Sequence, residues 1–249
     1  MQRVPIYIVT GATRGIGRAV AIELANRGFR VVAVGRSTDL LNSLSGSCGS
    51  LLTTVQADLA THSGIEQVAA CVAKETEIDG IVHSAGSLVP LEPYDKIDVN
   101  ELVEHFRIHV GAPIALSNTV GRKHSIKRML FIDSYSASTA RLGWAAYSIV
   151  KAASQMAARC AAQELSKTRS IRAYPGAVNT RIVDSVLASD TETASTFASM
   201  LEKGEFAEPH EVAKFLVALL VDASDELLGS REAFDYNDTD DRAEIERQC

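Results

Sequence analysis

Short runs of β-branched and apolar residues alternate with longer stretches in which apolar positions recur every three or four residues. The short runs predict strands at Tyr7–Thr10, Arg30–Val34, Leu51–Gln56, Gly80–His83, Arg128–Asp133 and Ser170–Tyr174, with a weaker seventh at Glu232–Tyr236. The longer stretches predict helices over Gly15–Arg27, His62–Lys74, Asn100–Val120, Ala145–Leu165 and Pro209–Val221. Alternation of this kind calls for a parallel sheet covered by helices on both faces. Right-handed crossovers then make it a doubly wound α/β sheet. No repeat or linker divides the chain, so residues 1–249 read as a single domain. The segment 181–205 breaks the alternation, is rich in Ser, Thr and Ala, and has the length of a mobile lid over a pocket. The acidic stretch Asn237-Asp238-Thr239-Asp240-Asp241 reads as a solvated end.

Composition narrows the classes. Apolar residues make up 46% of the 249, enough for a sizeable core. A net charge of −6 gives no general attraction to nucleic acid or anionic membranes. No apolar run approaches the ~18 residues of a membrane span. The first strand begins almost at once, with no basic segment and apolar core before it, so no secretory signal is expected. Cys48, Cys71, Cys160 and Cys249 show no C-x-x-C spacing. They read as free thiols of a reducing compartment, and a cytoplasmic location is expected.

Candidate chemistry begins at Thr10-Gly11-Ala12-Thr13-Arg14-Gly15-Ile16-Gly17, between the first strand and the first helix. Glycines there allow a tight turn and close approach of backbone to a pyrophosphate. The helix N-terminus adds free N–H groups and a positive dipole end. The alternative is an ordinary glycine-rich turn. At the end of the second strand, where an NAD site needs a carboxylate for the ribose hydroxyl, the chain has Gly35, Arg36 and Ser37. A guanidinium suits a 2′-phosphate, with Arg14 approaching it from the other side, so NADP(H) is the expected cofactor. Two solvated surface arginines are the competing reading.

Tyr147 and Lys151 stand one helical turn apart, about 6 Å of rise, on one face. A phenol with a pKa near ~10 is a poor acid–base alone, and an adjacent ammonium is expected to lower that value. Such a pair exchanges a proton with a carbonyl or alcohol oxygen. On its own the spacing is common, and its weight comes from context.

These motifs together resemble the short-chain dehydrogenase/reductase family, and the match runs along essentially the whole chain. Within it the chain is most similar to fungal benzil reductase and sepiapterin reductase-like carbonyl reductases, on Leu91-Glu92-Pro93, Ile97-Asp98-Val99-Asn100, Gly143-Trp144-Ala145-Ala146-Tyr147 and Tyr236-Asn237-Asp238. The resemblance implies a Rossmann fold and catalytic roles for Ser134, Tyr147 and Lys151. It implies cofactor contacts from Asp58 and Leu59 at the adenine and from Ser84, Ala85 and Gly86 by backbone. Pro175, Gly176, Val178 and Thr180 are implied beside the nicotinamide. It also implies a homodimer or homotetramer through the helices from Asn100 and Ala145. Two positions depart from the family pattern: His83 and His109 stand where asparagines are usual. His109 reads either as a proton relay titrating near neutral pH or as a packed helix histidine.

Other residues keep two readings. Asp133 caps a turn or faces a substrate amine. Trp144, Tyr135 and Leu142, with Val89 and Pro90 opposite, either wall an aromatic pocket or pack in the core. Cys160 is expected in the core. The expected activity is NADPH-dependent reduction of a ketone or aldehyde, with an aromatic diketone or a pterin-like carbonyl as candidate substrates. An NAD-linked alcohol dehydrogenase and a non-catalytic NADPH-binding sensor are the alternatives.

Overall fold

The computed structural model describes residues 3–88, 90–189 and 192–248. Among them seven strands form one sheet: β1 (Ile6–Thr10), β2 (Arg30–Gly35), β3 (Leu52–Gln56), β4 (Glu77–His83), β5 (Ser125–Ile132), β6 (Arg169–Tyr174) and β7 (Phe234–Asp235). Their order is β3-β2-β1-β4-β5-β6-β7, and every pair is parallel. β1 is buried along its whole length, which its unbroken apolar run IYIVT requires of a strand covered on both faces. The chain winds outward from β1 to β3, then returns to β4 on the other side of β1. That reversal opens a crevice at the C-terminal ends of β1 and β4. Thr10, buried at the end of β1, braces it. Its hydroxyl donates to the Val82 carbonyl at 3.0 Å and accepts the N–H groups of Ser84 and Ala85.

One face of the sheet is covered by α1 (Gly15–Asn26), α2 (Thr38–Cys48) and α9 (Pro209–Val221), which share a core through Val20, Leu24, Leu41, Leu44 and Leu216. The other is covered by α3 (His62–Cys71), α5 (Ala112–Gly121) and α6 (Ala145–Glu164), through Ile65, Val68, Leu116, Val120 and Ala158. α4 (Val99–Phe106) runs into α5 through one π turn at Arg107–Gly111, within the single helix expected there. α7 (Arg181–Leu187) and α8 (Glu192–Glu202) occupy the segment expected to be a lid, and α10 (Asp225–Ser230) precedes β7.

Two expectations are corrected here. The acidic tail is exposed over residues 237–240 as expected, but it is not an irregular end: it opens α11 (Thr239–Glu246). The Asp238 carboxylate accepts the N–H groups of Asp240 and Asp241. Asp241 is buried and paired with Arg231, and Ile245 enters the core. Cys160 is exposed, because α6 buries the stripe holding Tyr147, Val150, Lys151 and Ala158, and Cys160 falls outside it. Ser37 is the N-cap of α2, its hydroxyl accepting the Leu40 N–H. Val89 and Cys249 lie outside the described residues. No helix among the described residues is long and apolar enough to cross a membrane.

Candidate active site

A cleft of about 1340 Å³ opens at the C-terminal ends of the strands. Gly11, Thr13, Arg14, Gly15 and Ile16 line its start, Arg36, Asp58 and Leu59 one end, and Ser84, Ala85 and Gly86 its floor. His109, Ser134, Tyr147, Lys151, Pro175, Gly176, Val178 and Thr180 complete the set that sequence reasoning assigned to it. Gly17 and Ser37 are not in the lining. Gly17 lies behind the loop, where a Cβ would sit 2.5 Å from the Gly11 carbonyl oxygen. Its part is to let helix and loop pack closely. The Ser37 hydroxyl accepts the Leu40 N–H, which leaves its own hydrogen to donate.

These residues fit a dinucleotide. The N-cap Arg14 makes no side-chain cap to α1, and Gly15 and Ile16 of its first turn line the cleft, where helix N–H groups can receive a phosphate. Arg14 and Arg36 are exposed at the cleft, and Arg36 also borders a smaller hollow with Gln56, Asp58 and Thr61. The Asp58 carboxylate accepts the Ala60 N–H at 3.0 Å, which shapes the turn after β3.

At the other end, β5 and α6 bring the catalytic candidates together. The Lys151 ammonium donates to the Ile132 carbonyl at 2.8 Å, at the end of β5. A hydrogen bond from Ser134 reaches the Tyr147 phenol, and the Ser134 hydroxyl accepts the Ser136 N–H at 3.2 Å. Tyr147 and Lys151 are only 8% and 7% exposed, and that burial sets their acidity. It pushes Tyr147 up to about 12, against the Ser134 hydrogen bond, with the nearby Asp133 charge adding to the rise. It presses Lys151 down to about 8, opposed by Asp133. The expected lowering of the phenol is therefore not found: burial outweighs the Ser134 hydrogen bond, and the Lys151 ammonium is spent on the Ile132 carbonyl.

His109 sits in the π turn, its Nε2 2.9 Å from the Ser87 carbonyl oxygen and its ring 6.4 Å from that of Tyr147. Burial first, then the Lys151 charge, lowers its pKa to about 3. The ring is neutral, so titration near neutral pH is corrected. It packs on Gly86, where a Cβ would lie 2.4 Å from its Cε1. The imidazole takes the space beside that loop, and only glycine leaves room for it. His83 is likewise buried, set against Ser117 Oγ at 3.2 Å and Phe131, and lowered to about 3 by burial.

Asp133 faces no solvent-borne amine. It is buried in an ion pair with Arg172 while accepting the Ser134 N–H, so only the local half of the turn reading holds. Tyr135, Leu142 and Trp144 line the cleft, and Pro90 does not. Trp144 meets Tyr147 edge-on at 5.7 Å and donates its indole N–H to Thr193 Oγ1 of α8 at 3.0 Å. Phe197 and Phe206 extend this aromatic wall. Sequence reasoning passed over Thr193, Phe197 and Phe206 because their segment lacks periodicity. It passed over Asn237 as a cleft residue, although that side chain lies against Gly176.

The sequence profile of the short chain dehydrogenase family matches residues 5–191. The benzil reductase ((S)-benzoin forming) of Bacillus cereus is 25% identical over 232 residues, which cover 86% of this chain and 92% of that protein. The sepiapterin reductase of Xenopus tropicalis is 27% identical over 237 residues, covering 86% and 90%. The benzil reductase likeness is thus not specific to fungal proteins. A short-chain dehydrogenase/reductase structure from Saccharomyces cerevisiae superimposes with a TM-score of 0.86 at 24% identity, over 95% of this chain and 98% of that one.

Proposed function

The chain belongs to the short-chain dehydrogenase family of oxidoreductases, which use nicotinamide cofactors, and from that premise we propose that it reduces a ketone or aldehyde to an alcohol with NADPH. The observation that carries this reading is the meeting of Ser134, Tyr147 and Lys151 in a cleft that also reaches Arg14 and Arg36. The aromatic lining of Tyr135, Trp144, Phe197 and Phe206 favours an aromatic diketone or a pterin-like carbonyl. Relatives named for benzil and sepiapterin agree with that class.

When bound, the cofactor supplies the hydride. Tyr147 holds, at its phenol oxygen, the proton that the carbonyl oxygen takes up. Ser134 donates a hydrogen bond to that oxygen as negative charge gathers on it. Lys151, cationic below about pH 8, offsets the charge left on Tyr147 and would hold the nicotinamide ribose hydroxyls. His109 belongs to this reading as a neutral wall that fixes the Gly86 loop. The N-terminus of α1 would hold the pyrophosphate, Asp58 and Leu59 the adenine, and Val178 and Thr180 the carboxamide and a phosphate. Arg36 follows Gly35 where an NAD site would carry a carboxylate, and with Arg14 it would fork onto a 2′-phosphate.

Steady-state reduction of benzil and sepiapterin with NADPH and with NADH tests the proposal. The wild type should prefer NADPH. Arg36→Ala should raise the KM for NADPH on the order of tenfold to a hundredfold, the worth of a charge-assisted hydrogen bond, and leave that for NADH nearly unchanged. A wild type that prefers NADH rules out the assignment of Arg36.

A further inference from the structure

Asp133 occupies the joint between the two halves of the catalytic group. Before it, the Ile132 carbonyl holds Lys151; after it stands Ser134. Its own N–H is fixed to the Ala173 carbonyl of β6 at 2.8 Å. The side chain is 3% exposed, and both carboxylate oxygens are engaged. Oδ2 accepts Arg172 Nε at 3.0 Å, Arg172 Nη2 at 2.8 Å and Gln155 Nε2 at 3.1 Å. Oδ1 accepts the Ser134 N–H at 2.8 Å. The cations and donors are themselves held: Arg172 and Gln155 both donate to Tyr174 Oη, at 3.1 and 2.9 Å. Tyr174 stacks on Tyr135, the residue that follows Ser134.

Burying a carboxylate and a guanidinium is poor value for stability alone, since desolvation consumes most of the attraction. What such a pair supplies is a fixed direction. Here the carboxylate is clamped from β6 and α6 through one oxygen, and the other aims at a single backbone N–H. We propose that Asp133 is a positioning residue: anchored by Arg172 and Gln155, it sets the Ser134 backbone so that the hydroxyl meets the Tyr147 phenol. Asp133 reaches neither proton nor hydride itself and acts only through the serine. The proposal rests on the reading of Ser134 and Tyr147 as catalytic partners.

A double-mutant cycle isolates that route. Asp133→Ala is compared in the wild-type and Ser134→Ala backgrounds, with NADPH and the best carbonyl substrate. Expected is a loss of kcat on the order of tenfold to a hundredfold in the first background, the scale for a displaced catalytic group, with the Kd for NADPH unchanged. In the Ser134→Ala background the same change should alter kcat less than about twofold, because the residue it serves is gone. Equal losses in both backgrounds, or no loss in the first, overturn the proposal. Arg172→Lys keeps the charge but loses the forked contact, and gives the same cycle if Asp133→Ala does not fold. If the wild type turns over no carbonyl with either nicotinamide, it is the functional reading that fails. Amide exchange at Ser134 then decides the proposal: slow in wild type and fast in the variant supports it, and equal rates refute it.

Discussion

At the scale of single residues, two buried groups carry opposite shifts from one cause. Burial favours the neutral form, so Tyr147 rises to about 12 and Lys151 falls to about 8. Tyr147 therefore keeps its proton throughout the ordinary range, and the limit on reduction comes from Lys151. As pH rises through about 8 the lysine loses its proton and can no longer offset the charge left on the phenol. We expect kcat for reduction to fall along that limb. Lys151→Arg, which stays charged, should be flat between pH 7 and 10. His109→Asn should keep the wild-type limb and add no inflection between pH 5 and 8, because the imidazole titrates near 3. An alkaline limb that survives unchanged in Lys151→Arg would show that another group sets it.

At the scale of elements, legibility followed the contrast between faces. α1 was plain because Val20, Ala21 and Leu24 repeat at helical spacing, and α9 because its apolar run is long for a strand and follows a proline at the first helical position. α2 was missed: Leu41 and Leu44 are its whole buried stripe, diluted by Ser, Asn and Gly. α11 was missed because three acids in five residues look solvated, although an Asp before a helical turn is itself a start signal. β4 and β5 begin three residues earlier than their apolar runs. Glu77, Asp79 and Lys127 sit in those extensions, and Lys127 and Arg3 pair with both acids, so charge there looked like loop. The segment with α7 and α8 gave only a lid, and its link to the site is the indole of Trp144 on Thr193. If α8 closes the cleft through that bond, Thr193→Val should raise KM for the carbonyl substrate by about twofold to tenfold, the worth of one neutral hydrogen bond. The Kd for NADPH should not move. An unchanged KM would mean that α8 is wall and not lid.

For the whole molecule, the sheet and the reversal between β1 and β4 were readable because strand and helix alternate cleanly, and that reversal places the crevice. What could not be read was the balance of burial within it: sequence spacing pairs Tyr147 with Lys151 but does not show that both are shut away from water. The outer surface carries its own expectation. Val99, Val103 and Phe106 of α4 and Ile149 and Met156 of α6 are exposed apolar side chains, and we infer that they meet a second copy of the chain. Sedimentation should give a mass at least twice 26.7 kDa, reduced to the monomer by Val103→Asp with Met156→Asp; a wild-type monomer contradicts this. The central claim is that Tyr147 delivers the proton in an NADPH-dependent carbonyl reduction, and Tyr147→Phe tests it most directly, because the ring stays and only the hydroxyl goes. The measurement is kcat for benzil reduction alongside the Kd for NADPH from its fluorescence. The account predicts a loss of ~10²–10⁴-fold in kcat, the scale of general acid catalysis, with the Kd nearly unchanged. Near-normal turnover in Tyr147→Phe would contradict it.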